Sequence, residues 1–201
     1  MPKPLFNWTP EFYDRLSGRY DNLARIFFSM GEKGKRRLRQ NIPAGNILDI
    51  ACGSGRLLAD SFRVDLTCFG VDSSWGMLNQ TRRKSPRIDL VQASFNALPF
   101  ASECFTTVVE TNAVSGVEHD VGQVLSEMKR VCRLGGEIRI ADYAKAPKVS
   151  AWHRLMEWFG ELFGDYAHDY AVILRSLGFE ITVEHLGFDG MYQYVCARRI
   201  R

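Results

Sequence analysis

Two patterns of apolar residues alternate along the chain. Short runs rich in Val, Ile, Leu and Phe are typical of buried strands, whereas apolar residues at three- and four-residue steps are typical of helices. The runs predict strands over residues 46–50, 66–71, 88–92, 105–110 and 137–141. The steps predict helices over residues 10–40, 56–60, 77–82, 121–134, 150–163 and 167–177. This alternation predicts an α/β fold, with a mostly parallel sheet and helices on both faces.

The C-terminal part of the chain has a different pattern. Residues 179–186 and 191–198 form two apolar runs joined by Gly187-Phe188-Asp189-Gly190, which has the composition of a hairpin turn. These runs predict an antiparallel hairpin at the edge of the sheet, which brings the expected number of strands to seven. Gly135 and Gly136 follow the helix predicted over residues 121–134 and are expected to end it.

The length of 201 residues is that of a single globular unit with its own core. The break at Asn41-Ile42-Pro43-Ala44-Gly45 ends the N-terminal helical stretch. We therefore expect residues 1–44 to form a helical cap or lid, and residues 45–201 to form the main domain. Ligands of open α/β sheets bind beyond the carboxyl ends of the strands, so we expect the functional site there.

Composition narrows the class of protein. Hydrophobic residues make up 46% and charged residues 24%, which are ordinary globular values. The five cysteines are widely spaced and form no CxxC pair, so neither a disulfide framework nor a metal site is expected. The N-terminus has no long apolar run and no stretch is long enough to span a bilayer. These features predict a cytoplasmic protein that is soluble or at most peripheral to a membrane.

Two clusters of basic residues occur in a chain whose net charge is only +3. One comprises Lys33, Lys35, Arg36, Arg37 and Arg39, and the other comprises Arg82, Arg83, Lys84 and Arg87. Both are consistent with solvated helix faces. They are also consistent with an anionic partner, so contact of residues 33–39 with anionic membrane lipid stays an open alternative. A net charge this small gives no reason to expect a nucleic-acid partner.

The most specific segment is residues 47–58, Ile-Leu-Asp-Ile-Ala-Cys-Gly-Ser-Gly-Arg-Leu-Leu. A glycine-rich turn between a strand and a helix lets the backbone approach a ligand closely. No Gly-Lys-Ser/Thr follows, which excludes the phosphate-loop motif. Leu58 stands where a dinucleotide site has its third glycine, so a nicotinamide-dependent oxidoreductase is a less favoured alternative.

The segment resembles the first motif of class I S-adenosylmethionine-dependent methyltransferases, a strand followed by D-x-G/A-C-G-x-G. The resemblance implies a Rossmann-like fold with S-adenosylmethionine as cofactor and S-adenosylhomocysteine as product. It implies that Gly53 and Gly55 let the loop pass the methionine portion and that Asp49 orients the loop or the cofactor amino group. It also implies that Asp72 accepts hydrogen bonds from the ribose hydroxyls, for which a carboxylate is well suited.

Three later segments agree with the family. Residues 72–78 resemble its D-x-S-x-x-M-L pattern, which implies that Met77 packs near the adenine. Residues 91–100 resemble G-D-A-x-x-L-P-F, but Ser94 replaces the acidic residue that receives the adenine amino group, so recognition is expected to rest on Ser94 and the backbone of Phe95. Residues 127–136 resemble E-x-x-R-V-L-K-P-G-G. The implied cofactor contacts are Tyr20, Asp49, Ala51, Gly53, Ser54, Gly55, Asp72, Ser73, Met77, Ser94, Phe95, Glu110 and Thr111.

The N-terminal helical stretch indicates a subgroup. Residues 12–21 resemble the doubled Tyr-Asp pattern of ubiquinone/menaquinone C-methyltransferases and of small bacterial phosphatidylethanolamine N-methyltransferases. The resemblance implies that Tyr20, and with less support Tyr13, lies over the cofactor and its methyl group. The alternative is that both are core aromatic residues.

Candidate catalytic residues follow from the segment after the fourth strand, which faces the substrate in this fold. Glu110 and His119 are candidate bases, with Tyr20 as a third catalytic candidate; alternatively Glu110 contacts the cofactor and His119 is a surface residue. His153 and His168 are further candidate bases. The stripe of Trp152, Leu155, Met156, Phe159 and Phe163 predicts either a core face or a substrate lid.

The resemblance implies transfer of a methyl group to a small-molecule or lipid-like acceptor, either a quinone-type ring or a phospholipid amine. The replacement at Ser94 and the lack of an obvious base leave a second hypothesis open, that the chain binds the cofactor without catalysis, as a regulator or scaffold.

Overall fold

The structure is a computed structural model that describes residue 5 and residues 8–27, 29–59, 63–117 and 120–201. Its helices are α1 (Pro10–Phe27), α2 (Ser29–Arg39), α3 (Arg56–Ala59), α4 (Trp75–Lys84), α5 (Val121–Val131), α6 (Ala151–Leu162) and α7 (Tyr170–Ser176). Its strands are β1 (Gly45–Ile50), β2 (Leu66–Asp72), β3 (Asp89–Gln92), β4 (Phe105–Thr111), β5 (Cys132–Tyr143), β6 (Phe179–Gly187) and β7 (Tyr192–Arg199). Two 3₁₀ turns span Val114–Gly116 and Phe188–Gly190.

The strands form one seven-stranded sheet in the order β3-β2-β1-β4-β5-β7-β6. The first five strands pair in parallel, whereas β7 runs antiparallel to both of its neighbours, β5 and β6. The predicted mostly parallel sheet with a C-terminal antiparallel hairpin is therefore confirmed. Because β1, β2, β4 and β5 are parallel, their carboxyl ends lie along one edge of the sheet, where the loops that follow them meet.

Each face of the sheet has its own core because successive side chains of a strand point to opposite faces. Leu48 and Val108 pack with α5 and α7 in one buried cluster. Ile47 and Val109, their neighbours in sequence, pack with α2 and α3 in the other. Leu38 of α2 is fully buried there, so α2 shares the core of the main domain. The division predicted at residue 44 stays a prediction.

The helix predicted over residues 121–134 ends earlier, at Val131. Cys132 has extended backbone angles and pairs with Phe105, so β5 begins at once. The pairing of β4 with β5 shifts register between residues 105 and 107. A Cβ atom on Gly136 would lie 2.8 Å from the Thr106 carbonyl oxygen, so this glycine allows two strands to approach rather than capping a helix.

The apolar stripe of α6 is not a core face, contrary to one of the two sequence-based interpretations. Trp152, Leu155 and Phe159 are each about half exposed. The side chain of this helix that the fold buries is His153. The stretch predicted to be helical over residues 10–40 is helical in both α1 and α2, and residue 28 between them lies outside the described residues.

Arg139 joins α2 to the centre of the sheet. This buried guanidinium donates hydrogen bonds to the carbonyl oxygens of Leu38, Gln40 and Asn41, at 3.1, 2.6 and 2.9 Å. It also pairs with the carboxylate of Glu137 at 2.7 Å. The carbonyl groups at the C-terminus of a helix have no partner within the helix, so one cation of the sheet satisfies several of them at once.

We predict that Arg139→Met lowers the free energy of unfolding by about 3 kcal/mol, because it leaves the partly buried Glu137 carboxylate and three carbonyl groups at the end of α2 without this donor. Urea unfolding followed by circular dichroism measures the change. Arg133→Met is the matched control, since Arg133 lies on the same strand with an exposed side chain. Equal midpoints for the two variants would contradict the assigned role of Arg139.

Candidate active site

The loop between β1 and α3 lies at the carboxyl edge of the sheet and has three residues with positive φ. These are Ala51 (51°), Gly53 (55°) and Gly55 (76°). A Cβ atom on Gly55 would lie 2.5 Å from the side chain of Thr81, whose hydroxyl donates to the Gly53 carbonyl oxygen at 2.8 Å. A Cβ atom on Gly53 would meet nothing within 4 Å. The loop is therefore packed against α4 on one side and open to a ligand on the other.

Asp72 ends β2 beside this loop. Its carboxylate accepts hydrogen bonds from the Gly53 and Ser74 amides, each at 2.8 Å. Burial raises the pKa of Asp72, while the two amide hydrogen bonds lower it and compensate in part. Each carboxylate oxygen keeps a lone pair for a further donor, which suits the ribose role that the resemblance implies.

Asp49 is buried near the carboxyl end of β1, just before the loop. Burial raises its pKa well above the usual range, and the Lys35 ammonium opposes this shift. Burial lowers the pKa of Lys35, and the nearby guanidinium of Arg56 lowers it further. Asp49 thus lies where it can orient the loop, as predicted, and the cations Lys35 and Arg56 lie in the same region.

Helix α1 crosses the site and is held there by two aspartates. Asp14 accepts hydrogen bonds from the Ser74 hydroxyl at 2.6 Å and the Gly76 amide at 2.7 Å, at the N-terminus of α4. These two hydrogen bonds lower the pKa of Asp14. Ser74 is also the N-cap of α4, so α1 is attached directly to the end of the segment that begins at Asp72.

The second aspartate, Asp21, binds the glycine-rich loop itself. It accepts hydrogen bonds from the Ser54 hydroxyl and from the ammonium of Lys84, which also donates to the Ser54 carbonyl oxygen at 3.1 Å. Burial raises the pKa of Asp21, but the hydrogen bonds from Lys84 and Ser54 outweigh burial and lower it. Asp14 and Asp21 are seven residues apart, so they share one face of α1.

The tyrosines of the doubled Tyr-Asp pattern lie together on this helix. The rings of Tyr13 and Tyr20 are 6.1 Å apart, edge to face. Burial raises the pKa of both phenols, and the charge of Asp72 contributes to each shift. Both tyrosines therefore lie near the predicted ribose-binding carboxylate, in partly exposed positions consistent with the role predicted for them.

The predicted adenine-binding residues lie in different environments. Ser94 is exposed and accepts a hydrogen bond from the Asn96 amide at 3.2 Å, whereas Phe95 packs against the core. Met77 is almost fully buried in α4. Ser73 is exposed, and its carbonyl oxygen accepts a hydrogen bond from the Gln92 amide at 3.0 Å. The roles of these residues toward the cofactor stay predictions.

A cluster of carboxylates occupies the carboxyl ends of β4 and β5. Glu110 is fully buried; its Oε1 accepts hydrogen bonds from the Ala113 and Val114 amides at 2.6 and 3.1 Å. Its Oε2 has no hydrogen-bond partner among the described residues, and neither has the hydroxyl of the adjacent Thr111. Burial raises the pKa of Glu110 well above the usual range, and the charge of Asp142 raises it further.

Two carboxylates that the sequence analysis missed complete this cluster. Asp142 is buried at the end of β5 and accepts hydrogen bonds from the Ser115 amide at 2.7 Å and the Tyr170 hydroxyl at 3.0 Å. Burial raises its pKa. Asp165, in the loop after α6, is partly exposed; burial and the charge of Asp142 raise its pKa to about 6. The charge of Asp142 therefore disfavours the ionisation of both Glu110 and Asp165.

The two candidate histidines that the structure describes, His153 and His168, each contact a backbone carbonyl oxygen. His119 lies outside the residues that the structure describes. His153 is buried, and its ring nitrogens contact the hydroxyl of the N-cap serine of α6 at 2.7 Å and the Asp189 carbonyl oxygen at 3.1 Å. Both nitrogens are thus engaged in holding α6. His168 donates to the Val117 carbonyl oxygen at 2.8 Å, and burial lowers its pKa.

Sequence reasoning missed Asp14, Asp21, Asp142 and Asp165 as site residues. The signal for the first two was present, since both follow a tyrosine with seven-residue spacing. No local sequence pattern marks Asp165 as a site residue, because it belongs to a loop that only the tertiary structure brings beside β5.

Comparisons with known proteins agree with this geometry. Residues 47–136 match a family model described as a methyltransferase domain. The chain is 34% identical over 173 residues to the phosphatidylethanolamine N-methyltransferase of Cereibacter sphaeroides, which covers 79% of this chain and 83% of that protein. It is 30% identical over 137 residues to the demethylmenaquinone methyltransferase of Renibacterium salmoninarum, covering 66% of this chain and only 57% of that protein.

Among solved structures, one of Thermotoga maritima, described as an S-adenosylmethionine-dependent methyltransferase and possible histamine N-methyltransferase, has a TM-score of 0.74 at 17% identity. The match covers 95% of this chain and 100% of that chain, which shows the shared fold. The chain belongs to the class I S-adenosylmethionine-dependent methyltransferases. The residues present fit that cofactor: Gly53 leaves open space beside the loop, and Asp72 presents a buried carboxylate next to it.

We predict that Asp72→Asn weakens binding of S-adenosylhomocysteine by roughly 10- to 100-fold, because hydrogen bonds to a charged acceptor are worth about 1.5–3 kcal/mol. Titration calorimetry measures the dissociation constant. Asp89→Asn is the control, since Asp89 is an exposed aspartate at the start of β3. An unchanged affinity in Asp72→Asn would remove the ribose role from this carboxylate.

We also predict that Asp21→Asn increases amide hydrogen exchange in α1 by roughly three- to tenfold, because the helix loses its ionic contact with the loop and α4. Since the pKa of Asp21 is lowered, this contact in the wild type is complete above the ordinary aspartate pKa and is lost as the pH falls below it. Arg19→Gln, an exposed change on the same helix, is expected to leave exchange unchanged. Equal exchange in the two variants would argue against the Asp21 attachment.

Proposed function

We propose that this protein transfers a methyl group from S-adenosylmethionine to an amine nitrogen, with a phospholipid of the ethanolamine type as the acceptor. The observation that carries the proposal is the cluster of Glu110, Asp142 and Asp165 at the carboxyl ends of β4 and β5. The phosphatidylethanolamine N-methyltransferase among the relatives supports the same acceptor class and matches this chain over most of both lengths.

The electrostatics of the cluster favour a cationic substrate. All three acids have raised pKa values, and the charge of Asp142 contributes to the shift of the other two, so a cation placed beside Asp142 would favour their ionisation. The Oε2 atom of Glu110, which has no partner among the described residues, is a free acceptor for an ammonium hydrogen. The phenol rings of Tyr13 and Tyr143 face the same charges, since Asp165 contributes to the pKa shift of each. Aromatic faces beside carboxylates are a suitable environment for an alkylammonium group.

The chemistry requires a free amine, because a protonated nitrogen has no lone pair with which to attack. The bound cofactor supplies the electrophilic methyl group. Asp165 is the partly exposed acid of the cluster, and its pKa of about 6 lies near neutral pH. We assign Asp165 as the acceptor of the ammonium proton and Glu110 as the group that orients the nitrogen. Tyr13 and Tyr20 cover the site and exclude water, which positions the reactants for in-line displacement.

A second candidate is methylation of a carbon atom on a quinone-type ring. It is supported by the similarity to demethylmenaquinone methyltransferases, although this chain spans only 57% of the length of the first of them. An uncharged ring would gain less than an amine from three nearby carboxylates. A chain that binds the cofactor without catalysis is the third hypothesis, which the replacement of an acidic residue by Ser94 keeps open.

The deciding experiment is an acceptor panel assayed with isotopically labelled S-adenosylmethionine. We expect label to enter phosphatidylethanolamine and its monomethyl derivative in mixed micelles, and no label to enter a demethylated naphthoquinol. Transfer to the quinol alone would replace the proposal with ring methylation. Binding of S-adenosylhomocysteine by calorimetry without transfer to any acceptor would favour the non-catalytic hypothesis.

We predict that Asp165→Asn lowers kcat/KM for the amine acceptor by about 100-fold and removes the acidic limb of its pH profile, which in the wild type rises through about pH 6.

The same variant is expected to be more stable at neutral pH. A carboxyl group whose folded pKa is raised stabilises the fold at low pH, and this contribution is lost as the pH rises through about 6.

Glu180→Gln, an exposed acid on β6, is the control for both measurements. A lower midpoint of unfolding together with a lower rate would indicate that Asp165 is structural. A pH profile of the wild-type shape in Asp165→Asn would show that another group takes the proton.

A further inference from the structure

The apolar face of helix α6 points to solvent, whereas a core helix buries its apolar face. Its tryptophan, leucine and phenylalanine side chains lie on the outside, where Trp152 is 55% exposed, Leu155 50%, Trp158 51% and Phe159 50%. At 100° per residue these four positions occupy one arc of the helix. A group of neighbouring exposed apolar side chains on a protein surface usually marks an interaction site.

The opposite face of α6 packs on the domain. His153 is buried there against the Asp189 carbonyl oxygen, at 3.1 Å. A Cβ atom on Gly160 would lie 3.4 Å from the ring of Tyr143, which places the helix directly against the wall of the candidate active site. The helix is therefore fixed by its polar and small residues, and its apolar face is not needed for that packing.

The patch continues beyond the helix. Val149, just before α6, is 60% exposed and Leu5 is 65% exposed. The Leu5 amide donates to the Leu162 carbonyl oxygen at 2.8 Å, so Leu5 lies beside the end of α6. We refer to Leu5, Val149, Trp152, Leu155, Trp158 and Phe159 as the α6 patch.

The exposed charged side chains beside the α6 patch are cations. Lys148, which precedes the helix, and Arg154, which lies beside Trp158 on the helical arc, are both exposed. Glu161 shares a helix face with Arg154, but it and Glu157 are only partly exposed, and their charges raise the pKa of Tyr143. The outer surface thus combines tryptophans with flanking cations, which is the composition of helices that lie in a bilayer interface.

We propose that the α6 patch docks on the surface of a lipid bilayer that contains anionic lipid, with the tryptophans at headgroup level and Lys148 and Arg154 near the phosphates. The occupant is lipid rather than a protein because the face is a convex helix flanked by cations and not a groove. No helix among the described residues is long and apolar enough to cross the membrane, so the contact is with one surface.

The basic run at residues 33–39 is a weaker candidate for this contact. Arg37 pairs with Glu184 and stacks over the ring of Tyr194, with 4.2 Å from its guanidinium carbon to the ring centroid. Lys35 pairs with Glu32 at 3.3 Å. Much of that run is therefore engaged within the chain, whereas the apolar side chains of α6 face solvent.

Docking through α6 would bring the wall formed by Tyr143 and Asp165 close to the headgroup layer. This deepens the proposed function, because an acceptor in the membrane would lie about one helix diameter, roughly 10 Å, from the site. The docking itself does not require that function, and its test can use lipids that carry no primary amine.

The test compares vesicle co-sedimentation of the whole protein and of Trp152→Gln/Phe159→Gln. The vesicles contain phosphatidylcholine with a minor fraction of phosphatidylglycerol, neither of which has a primary amine. We expect the wild type to bind and the double variant to bind about thirtyfold more weakly, because two aromatic side chains lose their burial in the interface. Lys148→Gln/Arg154→Gln is expected to weaken binding in proportion to the phosphatidylglycerol content.

Leu134→Gln/Ile200→Gln is the matched control, since both residues are exposed apolar positions at the amino end of β5 or the end of β7. Calorimetry with S-adenosylhomocysteine checks that each variant is folded. Equal vesicle binding by the α6 variant and the wild type would overturn the proposal. So would a wild-type dimer, seen by ultracentrifugation, that the α6 substitutions dissociate and that does not bind vesicles. Failure of methyl transfer with intact vesicle binding would reject the proposed function alone.

Discussion

The hydrogen bond from the Gly53 amide to the Asp72 carboxylate fixes the geometry on which the rest of the site depends. It joins the loop after β1 to the end of β2, and it holds a buried carboxylate beside backbone that is open to a ligand. Parallel strands bring these two ends to the same edge of the sheet, where the acids that follow β4 and β5 also lie. The predicted cofactor site and the proposed acceptor site are therefore adjacent because the strands are adjacent, not because their residues are near in sequence.

The cluster of Glu110, Asp142 and Asp165 is costly for the fold. Each acid is held by hydrogen bonds or by burial in a place where ionisation is unfavourable, and the charge of Asp142 opposes ionisation of the other two. A fold optimised for stability alone would place apolar side chains here. Accumulated charge in a position that faces a ligand is typical of functional sites, which are formed at the expense of stability. A cationic acceptor would relieve the repulsion. The same residues therefore account for both the unfavourable contribution to folding and the substrate class that we propose.

Two helices enclose this edge in different ways. Helix α1 is attached through Asp14 and Asp21 to the segments that are predicted to hold the cofactor, so its position is coupled to theirs. Helix α6 packs its small and polar residues against Tyr143 and exposes its apolar residues. One helix therefore covers the site through ionic contacts, while the other connects it with the surface that we propose for lipid.

The sequence by itself determined the sheet, its antiparallel C-terminal hairpin, and the cofactor-binding loop, because strand periodicity and the glycine-rich motif are local properties of neighbouring residues. The resemblance to the family also selected Asp72 and Glu110 as candidate site residues, and their roles stay predictions. Tertiary structure alone decided that α5 stops at Val131, since pairing of Cys132 with Phe105 competes with the helix. It likewise decided that the apolar stripe of α6 faces outward and that Asp165 lies beside Asp142, because periodicity marks a face but not what covers it, and contacts between distant segments depend on how the whole chain packs.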